Sequence, residues 1–198
     1  MILKTSKQLI IVISSPSGAG KTSICKRLLT EDSQLKLSIS DTTRPARDNE
    51  LDGIDYNFID IDEFKKRIKR DEYIEYAKVF ENYYGSPIRN IKEYSKKGKD
   101  VLFDIDWQGA EQLKKSNYGN ILLIFVTPPS KDVIFERLKL RAKDSGDNEN
   151  AIINRMKMFE TEMSRKNEYD FIVNNDNFEK CIKKIKDLIN NARAKIIN

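Results

Sequence analysis

Near the amino terminus, Ser15-Pro16-Ser17-Gly18-Ala19-Gly20-Lys21-Thr22 combines small residues, a lysine and a hydroxyl in an order that suits an anion. Gly18 and Gly20 let the backbone curl so that successive N–H groups converge on a phosphate, and a helix starting behind them adds the positive end of its dipole. Lys21 can reach the β- and γ-phosphates of a nucleotide as a point charge, and the Thr22 hydroxyl is placed to ligate Mg²⁺. The motif G-x-x-x-x-G-K-[ST] asks for glycine at position 15, where this chain has serine. Because the cradle is built by Gly18 to Thr22, Ser15 is expected to adopt an ordinary negative φ with its side chain turned from the phosphates.

Other residues fit the same chemistry. Val101-Leu102-Phe103-Asp104-Ile105-Asp106 is an apolar run ending in two aspartates, the means by which a second strand holds Mg²⁺ or its waters beside such a loop. Arg44 and Arg47 stand three apart with Pro45 between them, which argues against helix there, and their forked guanidinium groups suit a phosphate or a carboxylate. Arg137 and Arg141, four apart, project from one helical face, and Arg155 follows the polar stretch 142–150, read as a mobile lid.

Composition narrows the field. With no histidine in 198 residues, His-based acid/base catalysis, Ser-His-Asp triads and the usual nitrogen ligands for zinc are excluded. The net charge of +5 comes from lysines and arginines interleaved with aspartates and glutamates, a solvated mixed-charge surface rather than a nucleic-acid face. No apolar run reaches the roughly 20 residues of a membrane span, and residues 1–8 are too short and polar for a signal peptide. A soluble cytoplasmic protein is expected, with no nucleic-acid or membrane partner. Cys25 and Cys181 lie on apolar helix stripes and should be buried, unpaired thiols.

The elements that must position these groups follow the same order. Leu9 to Ile13 is a branched apolar run typical of a strand buried on both faces, and Ile24, Cys25, Leu28 and Leu29 then recur at helical spacing. Residues 36–41 read as a second strand and 42–50 as a binding loop. Residues 56–61 alternate as a strand, Asp62 can cap a helix over 63–69, and 73–80 is a further strand. Residues 82–87 read as a turn and 88–97 as a helix. Strands over 101–106, 121–126 and 169–174, helices over 131–141 and from Phe178 past Ile189, and Pro128-Pro129 as a stop complete the pattern. The expected fold is α/β, a parallel five-stranded sheet between helix layers. The core is 1–37, 90–140 and 156–198, with an inserted lobe at 38–89 and a lid at 141–155.

Taken together, SPSGAGKT, SDTTRPAR, Asp55-Tyr56-Asn57-Phe58, Glu75 with Tyr84-Gly85-Ser86, and Asp104-Ile105-Asp106-Trp107-Gln108-Gly109 resemble the guanylate kinases in order and spacing over nearly the whole chain. The resemblance implies a P-loop kinase fold and transfer of the ATP γ-phosphoryl group to GMP, giving ADP and GDP in purine nucleotide metabolism. It implies ATP and Mg²⁺ as cofactors, GMP as substrate with dGMP left open, and a monomer or homodimer. It places Ser15, Pro16, Ser17, Gly18, Ala19, Gly20, Lys21, Thr22 and Ser23 around ATP. Arg44, Arg47, Tyr56 and Tyr84 correspond to the holders of the GMP phosphate. Ser40, Glu75, Gly85, Ser86, Asp104 and Asp106 fall at the substrate, those around the guanine end being Ser40, Glu75, Ser86 and Asp106. The catalytic set is Lys21, Arg44, Arg137, Arg141 and Arg155. Asn174, Asn175 and Asp176 lie near where the family meets adenine.

Glu75 also makes chemical sense alone, since a carboxylate can accept from guanine N1–H and the N2 amino group together, a pair that adenine lacks. Besides Ser15, the chain departs from the family at Pro45-Ala46, in reversed order, and at Ala142, where glycine normally follows the arginine. Two rivals share these motifs: a non-catalytic guanylate-kinase-like phosphopeptide module, which has no use for Lys21, Thr22, Arg137 and Arg141, and a P-loop kinase for another acceptor. No protein base is required, because a nucleoside monophosphate is largely dianionic at neutral pH, its second pKa lying near ~6. The acceptor phosphate is therefore the only group in the proposed reaction expected to titrate between about pH 5 and 8.

Overall fold

The computed structural model describes residues 7–197 apart from 49, 80, 117 and 146–148, with the backbone alone described at 141–145, 151 and 197. Its centre is a five-stranded, wholly parallel sheet in the order β2-β7-β1-β8-β9. The strands are β1 (Leu9–Ser14), β2 (Leu35–Leu37), β7 (Asp100–Asp104), β8 (Asn120–Thr127) and β9 (Phe171–Asn174). All six residues of β1 are buried, which is why an unbroken aliphatic run fits the central position.

Helix layers cover both faces. Residues Ile11 and Ile13 of β1 point into one cluster with Ile24 and Leu28 of α1 (Lys21–Glu31) and Ile182 and Ile185 of α7 (Phe178–Ile197). Ile10 and Val12 point into the other, with Ile91 of α3 (Ile88–Lys96) and Leu113 of α4 (Trp107–Lys115). Cys25 and Cys181 lie in the first cluster as free, buried thiols, as expected. A third cluster joins Ala19 to α5 (Lys131–Ser145) and α6 (Glu149–Ser164) through Ile134, Leu138, Ile152 and Phe159.

A second, mixed sheet, β4-β3-β6-β5, is built from β3 (Asp41–Thr42), β4 (Asn57–Phe58), β5 (Tyr73–Val79) and β6 (Asn82–Pro87), with α2 (Ile61–Lys69) against it. Several sequence expectations change here. The single strand over 36–41 is two strands in different sheets, β2 and β3. Ile61 belongs to α2, which is capped by Asp60 accepting from Glu63 N, not by Asp62. Residues 82–87, read as a turn, form β6, whose antiparallel pairing with β5 supplies hydrogen bonds that turn composition does not reveal. Asp106 lies outside β7 and caps α4. The polar stretch 142–150 is helical up to Ser145 and again from Glu149. No helix among the described residues is long and apolar enough to cross a membrane.

Candidate active site

The carboxyl end of β1 runs directly into the phosphate loop. Ser14 and Ser15 are buried, and the Pro16 carbonyl accepts from Ala19 N at 3.1 Å and from the Ser15 hydroxyl at 3.0 Å. Ser15 is absent from the positive-φ residues, among which Asp71 is the one non-glycine described, so its side chain is engaged with the loop's own entrance, as expected. Gly18 and Gly20 do take positive φ, 86° and 97°. Gly20 is the N-cap of α1 in left-handed conformation, and a Cβ there would stand 2.9 Å from Asn175 Nδ2. Asn175, only 5 % exposed, donates from Nδ2 to Ala19 O at 2.8 Å and so buttresses the loop from β9's end. Ser23 lies exposed in the first turn of α1.

Beside the loop, Asp104 at the end of β7 holds both neighbouring groups: Lys21 Nζ is 2.7 Å from its Oδ1, and Thr22 Oγ1 donates to its Oδ2 at 3.1 Å. Burial works against the Lys21 charge, but the Asp104 charge and hydrogen bond outweigh it and raise the lysine pKa. From α5, Arg137 Nη1 reaches Gly18 O at 3.4 Å. From α6, Arg155 Nη1 donates to Ser17 Oγ at 3.2 Å. The Arg141 side chain lies outside the described residues.

The arginines of the 42–50 loop meet a partner that residue spacing did not reveal. Arg44 Nη2 is 2.8 Å from both oxygens of Glu50, and Arg47 approaches the same carboxylate with its backbone N at 2.9 Å and Nη1 at 3.3 Å. Burial opposes the Glu50 charge, yet the Arg47 N–H and the Arg44 guanidinium hold its carboxyl below the usual range. Arg44 also lies over the Tyr56 and Phe58 rings, 5.6 and 5.8 Å from their centroids, and Tyr56 meets Tyr84 edge-on at 5.9 Å. Burial, then the Asp104 charge, pushes the Tyr56 hydroxyl up to about 12. Arg44 and Arg47 therefore converge on the Glu50 carboxylate, with the Tyr56 and Tyr84 rings beside Arg44.

At the other end of the second sheet, Glu75 of β5 pairs across the ladder with Ser86 of β6, and Ser40 Oγ lies 3.1 Å from Ser86 Oγ. All three are buried, Glu75 to 4 % exposure. Burial drives the Glu75 carboxyl up to about 7; Ser86 hydrogen bonds pull it down and the Asp106 charge adds to the rise. Asp106 itself is committed to α4, its Oδ1 accepting from Gln108 N at 2.9 Å and Gly109 N at 3.1 Å. Gly85 has a packing reason to be glycine: a Cβ there would be 3.0 Å from Phe64 and Tyr73 ring atoms.

Glu162 of α6 was not singled out from the sequence, since on a helix of mixed charge it looks like any solvated acid. Its carboxylate accepts from Ser17 N at 3.3 Å, and burial moves its pKa up to about 7. The expectation that the acceptor phosphate is the only group of the reaction to titrate near neutrality is amended by Glu75, which desolvation displaces into that range, as it does Glu162 beside the loop.

One side of the arrangement gathers the phosphate loop, Lys21, Asp104, Arg137 and Arg155, and the other gathers the Arg44–Glu50–Arg47 cluster and the buried Glu75 carboxylate. The sequence matches the family model described as guanylate kinase over residues 7–192. It is 48 % identical over 192 residues to a guanylate kinase of Rickettsia conorii, covering 97 % of this chain and 82 % of that relative. It is 44 % identical over 187 residues to a guanylate kinase of Zymomonas mobilis, covering 94 % and 85 % respectively. Among solved structures, the guanylate kinase of Anaplasma phagocytophilum superposes with a TM-score of 0.75 at 33 % identity, covering 98 % of this chain and 88 % of that one.

Proposed function

The chain belongs to the guanylate kinase family and is a phosphotransferase that uses ATP to phosphorylate GMP; we propose that it does so by in-line transfer between the two ends of the site described above. In this reading the phosphate-loop amides and Lys21 hold the ATP phosphates. Arg44, Arg47, Tyr56 and Tyr84 hold the GMP phosphate, with Glu50 fixing the spacing of the two guanidinium groups. Glu75, Ser86 and Ser40 read guanine. Arg137, Arg141 and Arg155 neutralise charge on the group in flight and help exclude water.

Mg²⁺ fits the residues present, because the Thr22 hydroxyl is a hard oxygen donor with the Asp104 carboxylate beside it, and Mg²⁺ is characteristically held by few protein groups together with waters, here near Asp104 and Asp106, and phosphates. When bound, it would supply neutralisation of the nucleotide's phosphate charge. The chain supplies no base, and the acceptor oxygen attacks as part of an already ionised phosphate.

The single observation carrying this assignment is the buried Glu75 carboxylate, hydrogen-bonded to Ser86 and otherwise costly to desolvate. A guanine N1–H and N2 amino pair would offset that cost. We further propose the division into core (1–37, 90–140, 156–198), GMP lobe (38–89) and lid (141–155), with lobe and lid closing on the core. A cytoplasmic location accords with two free, buried thiols. We assign the protein no nucleic-acid or membrane partner, and monomer or homodimer as its state. Coupled measurement of ADP formation with GMP, AMP, dTMP and no acceptor tests the function, with turnover expected for GMP far above the others; comparable turnover with dTMP or AMP overturns it.

A further inference from the structure

Helix α4 carries a glycine where its backbone does not require one. Gly109 lies in the first turn, its N–H donating to Asp106, and it is not among the positive-φ glycines. Glycine is the poorest helix former after proline, so local conformation does not explain it. Space does. A Cβ on Gly109 would overlap Glu75 Oε2 and stand 2.9 Å from Glu75 Cδ and 3.1 Å from Ile105 Cδ1. The Glu75 carboxylate lies where any other residue at 109 would put its side chain.

One turn along, Gln112 fixes the strand that carries Glu75. Its Oε1 accepts from Tyr76 N at 3.1 Å and its Nε2 donates to Tyr76 O at 2.8 Å. Strand β5 is the edge of its sheet, so the outward backbone groups of Tyr76 need partners from elsewhere. A side-chain amide pairing with one peptide in both directions fixes distance and register together.

We propose that Gly109 and Gln112 are positioning residues for guanine recognition: Gln112 sets how closely β5 approaches α4, and Gly109 leaves the space that seats the Glu75 carboxylate. The proposal rests on the reading of Glu75 as the residue that meets the base. The contact also joins the two ends of the site, since α4 follows directly on the β7 strand whose Asp104 holds Lys21 and Thr22. A glutamate carboxylate at the end of two rotatable methylenes can be displaced without unfolding the protein, so filling the space should affect recognition and not stability.

The test is steady-state kinetics with thermal melting on Gly109→Ala, Glu75→Gln, Glu75→Asp and the double variant Gly109→Ala/Glu75→Asp. Gly109→Ala should raise KM for GMP about tenfold or more, the scale of misplacing a hydrogen bond to a charged group, while KM for ATP stays within threefold. Its melting temperature should be unchanged or higher, because alanine favours helix. Glu75→Asp, one methylene shorter, should lose GMP affinity alone yet recover part of it in the Gly109→Ala background, a non-additive cycle. An unchanged GMP KM, an additive cycle, or equal losses for GMP and ATP with a lowered melting temperature would each overturn the proposal. Glu75→Gln separates the two readings: retained GMP-over-AMP discrimination removes Glu75 as base reader, whereas lost discrimination beside an additive cycle removes only the positioning role. If Gly109→Ala does not fold, Gln112→Met carries the test, with a severalfold rise in GMP KM expected and an unchanged one overturning it.

Discussion

The two sheets of this protein are held together by different physics. The five-stranded sheet is dry and aliphatic: Ile11, Val12, Ile13, Val101, Leu102 and Ile124 are wholly buried, and their packing is non-directional. The four-stranded sheet has a charge at its centre. Asp41, with no exposure, accepts from Asn57 Nδ2 at 2.7 Å, Tyr73 OH at 2.8 Å and Arg67 Nη1 at 2.6 Å, with Arg89 at 3.5 Å. Around it, Phe64 stacks on Tyr73 at 4.6 Å and meets Tyr83 at 5.4 Å. Apolar packing tolerates small changes, whereas a satisfied buried polar network fixes one geometry and fails when one member is lost. The first sheet therefore supplies stability, and the second holds Arg44, Glu75 and Ser86 in register.

The most severe break in that contrast is Asp41→Asn, which turns one acceptor into a donor facing Asn57 and leaves Arg67 and Arg89 without their buried counter-charge. A local loss of about 3 kcal/mol is expected. Hydrogen exchange should quicken in β5 and β6 while β1 and β8 keep their protection. Equal loss in both sheets would mean that they do not differ as described.

Lys21→Ala probes the donor end alone. Turnover should fall about 10²-fold or more, on the scale of losing one electrostatic stabiliser, while calorimetry shows GMP affinity retained. A matching loss of GMP affinity would take Lys21 out of its assigned role.

Glu75→Gln sharpens the comparison from the acceptor side. It places a donor opposite guanine's donors and should cost roughly 1–3 kcal/mol of GMP recognition, with AMP losing far less. Stability should move the other way. Because the folded-state pKa of Glu75 is raised from 4.5 to about 7, the native protein binds the proton more tightly than the unfolded chain. Stability from this group is thus fully present below about pH 4.5 and is lost as pH rises through 7. The wild-type melting temperature should decline from pH 5 to pH 8, and Glu75→Gln should flatten part of that decline, leaving the share due to Glu162, displaced in the same direction. A decline identical in wild type and variant would show that Glu75 carries its charge without penalty. In kcat/KM for GMP, the acid limb near pH 7 should disappear in the variant, leaving the limb of the acceptor phosphate near ~6.

Smallest of all is Ser15→Gly. With negative φ and a hydroxyl turned onto Pro16 O, Ser15 leaves the cradle geometry to Gly18 and Gly20. Turnover and KM for ATP should stay within roughly threefold, below about 0.7 kcal/mol. A tenfold change in either would give the serine a functional part.

Legibility in the sequence divides along the same line as the two sheets. The strands at 9–14, 100–104 and 120–127 announce themselves because a strand buried on both faces needs an unbroken apolar run, and the phosphate loop does so because only certain residues can bend it and charge it. These signals are local. The second sheet is harder to read at 36–41 and 82–87 because its strands are two to seven residues long, and β3 and β6 meet across some forty residues of chain. The turn-like Asn82-Tyr83-Tyr84-Gly85-Ser86-Pro87 becomes a strand only because β5 and β3 flank it.

The same holds within the site. Residue types and order, together with the family resemblance, nominate Lys21, Thr22, Arg44, Arg47, Glu75, Asp104 and Arg137 as candidates, since each carries chemistry that few other side chains supply. Tertiary structure alone decided that Glu50 lies between the arginines, that Asn175 supports the loop 156 residues away, and that Gly109 makes room for Glu75. It also decided that Glu75 and Glu162 are displaced toward neutral pH. Identity in a chain specifies what a side chain can do, but desolvation and excluded volume depend on which atoms surround it, and those come together only when distant segments pack.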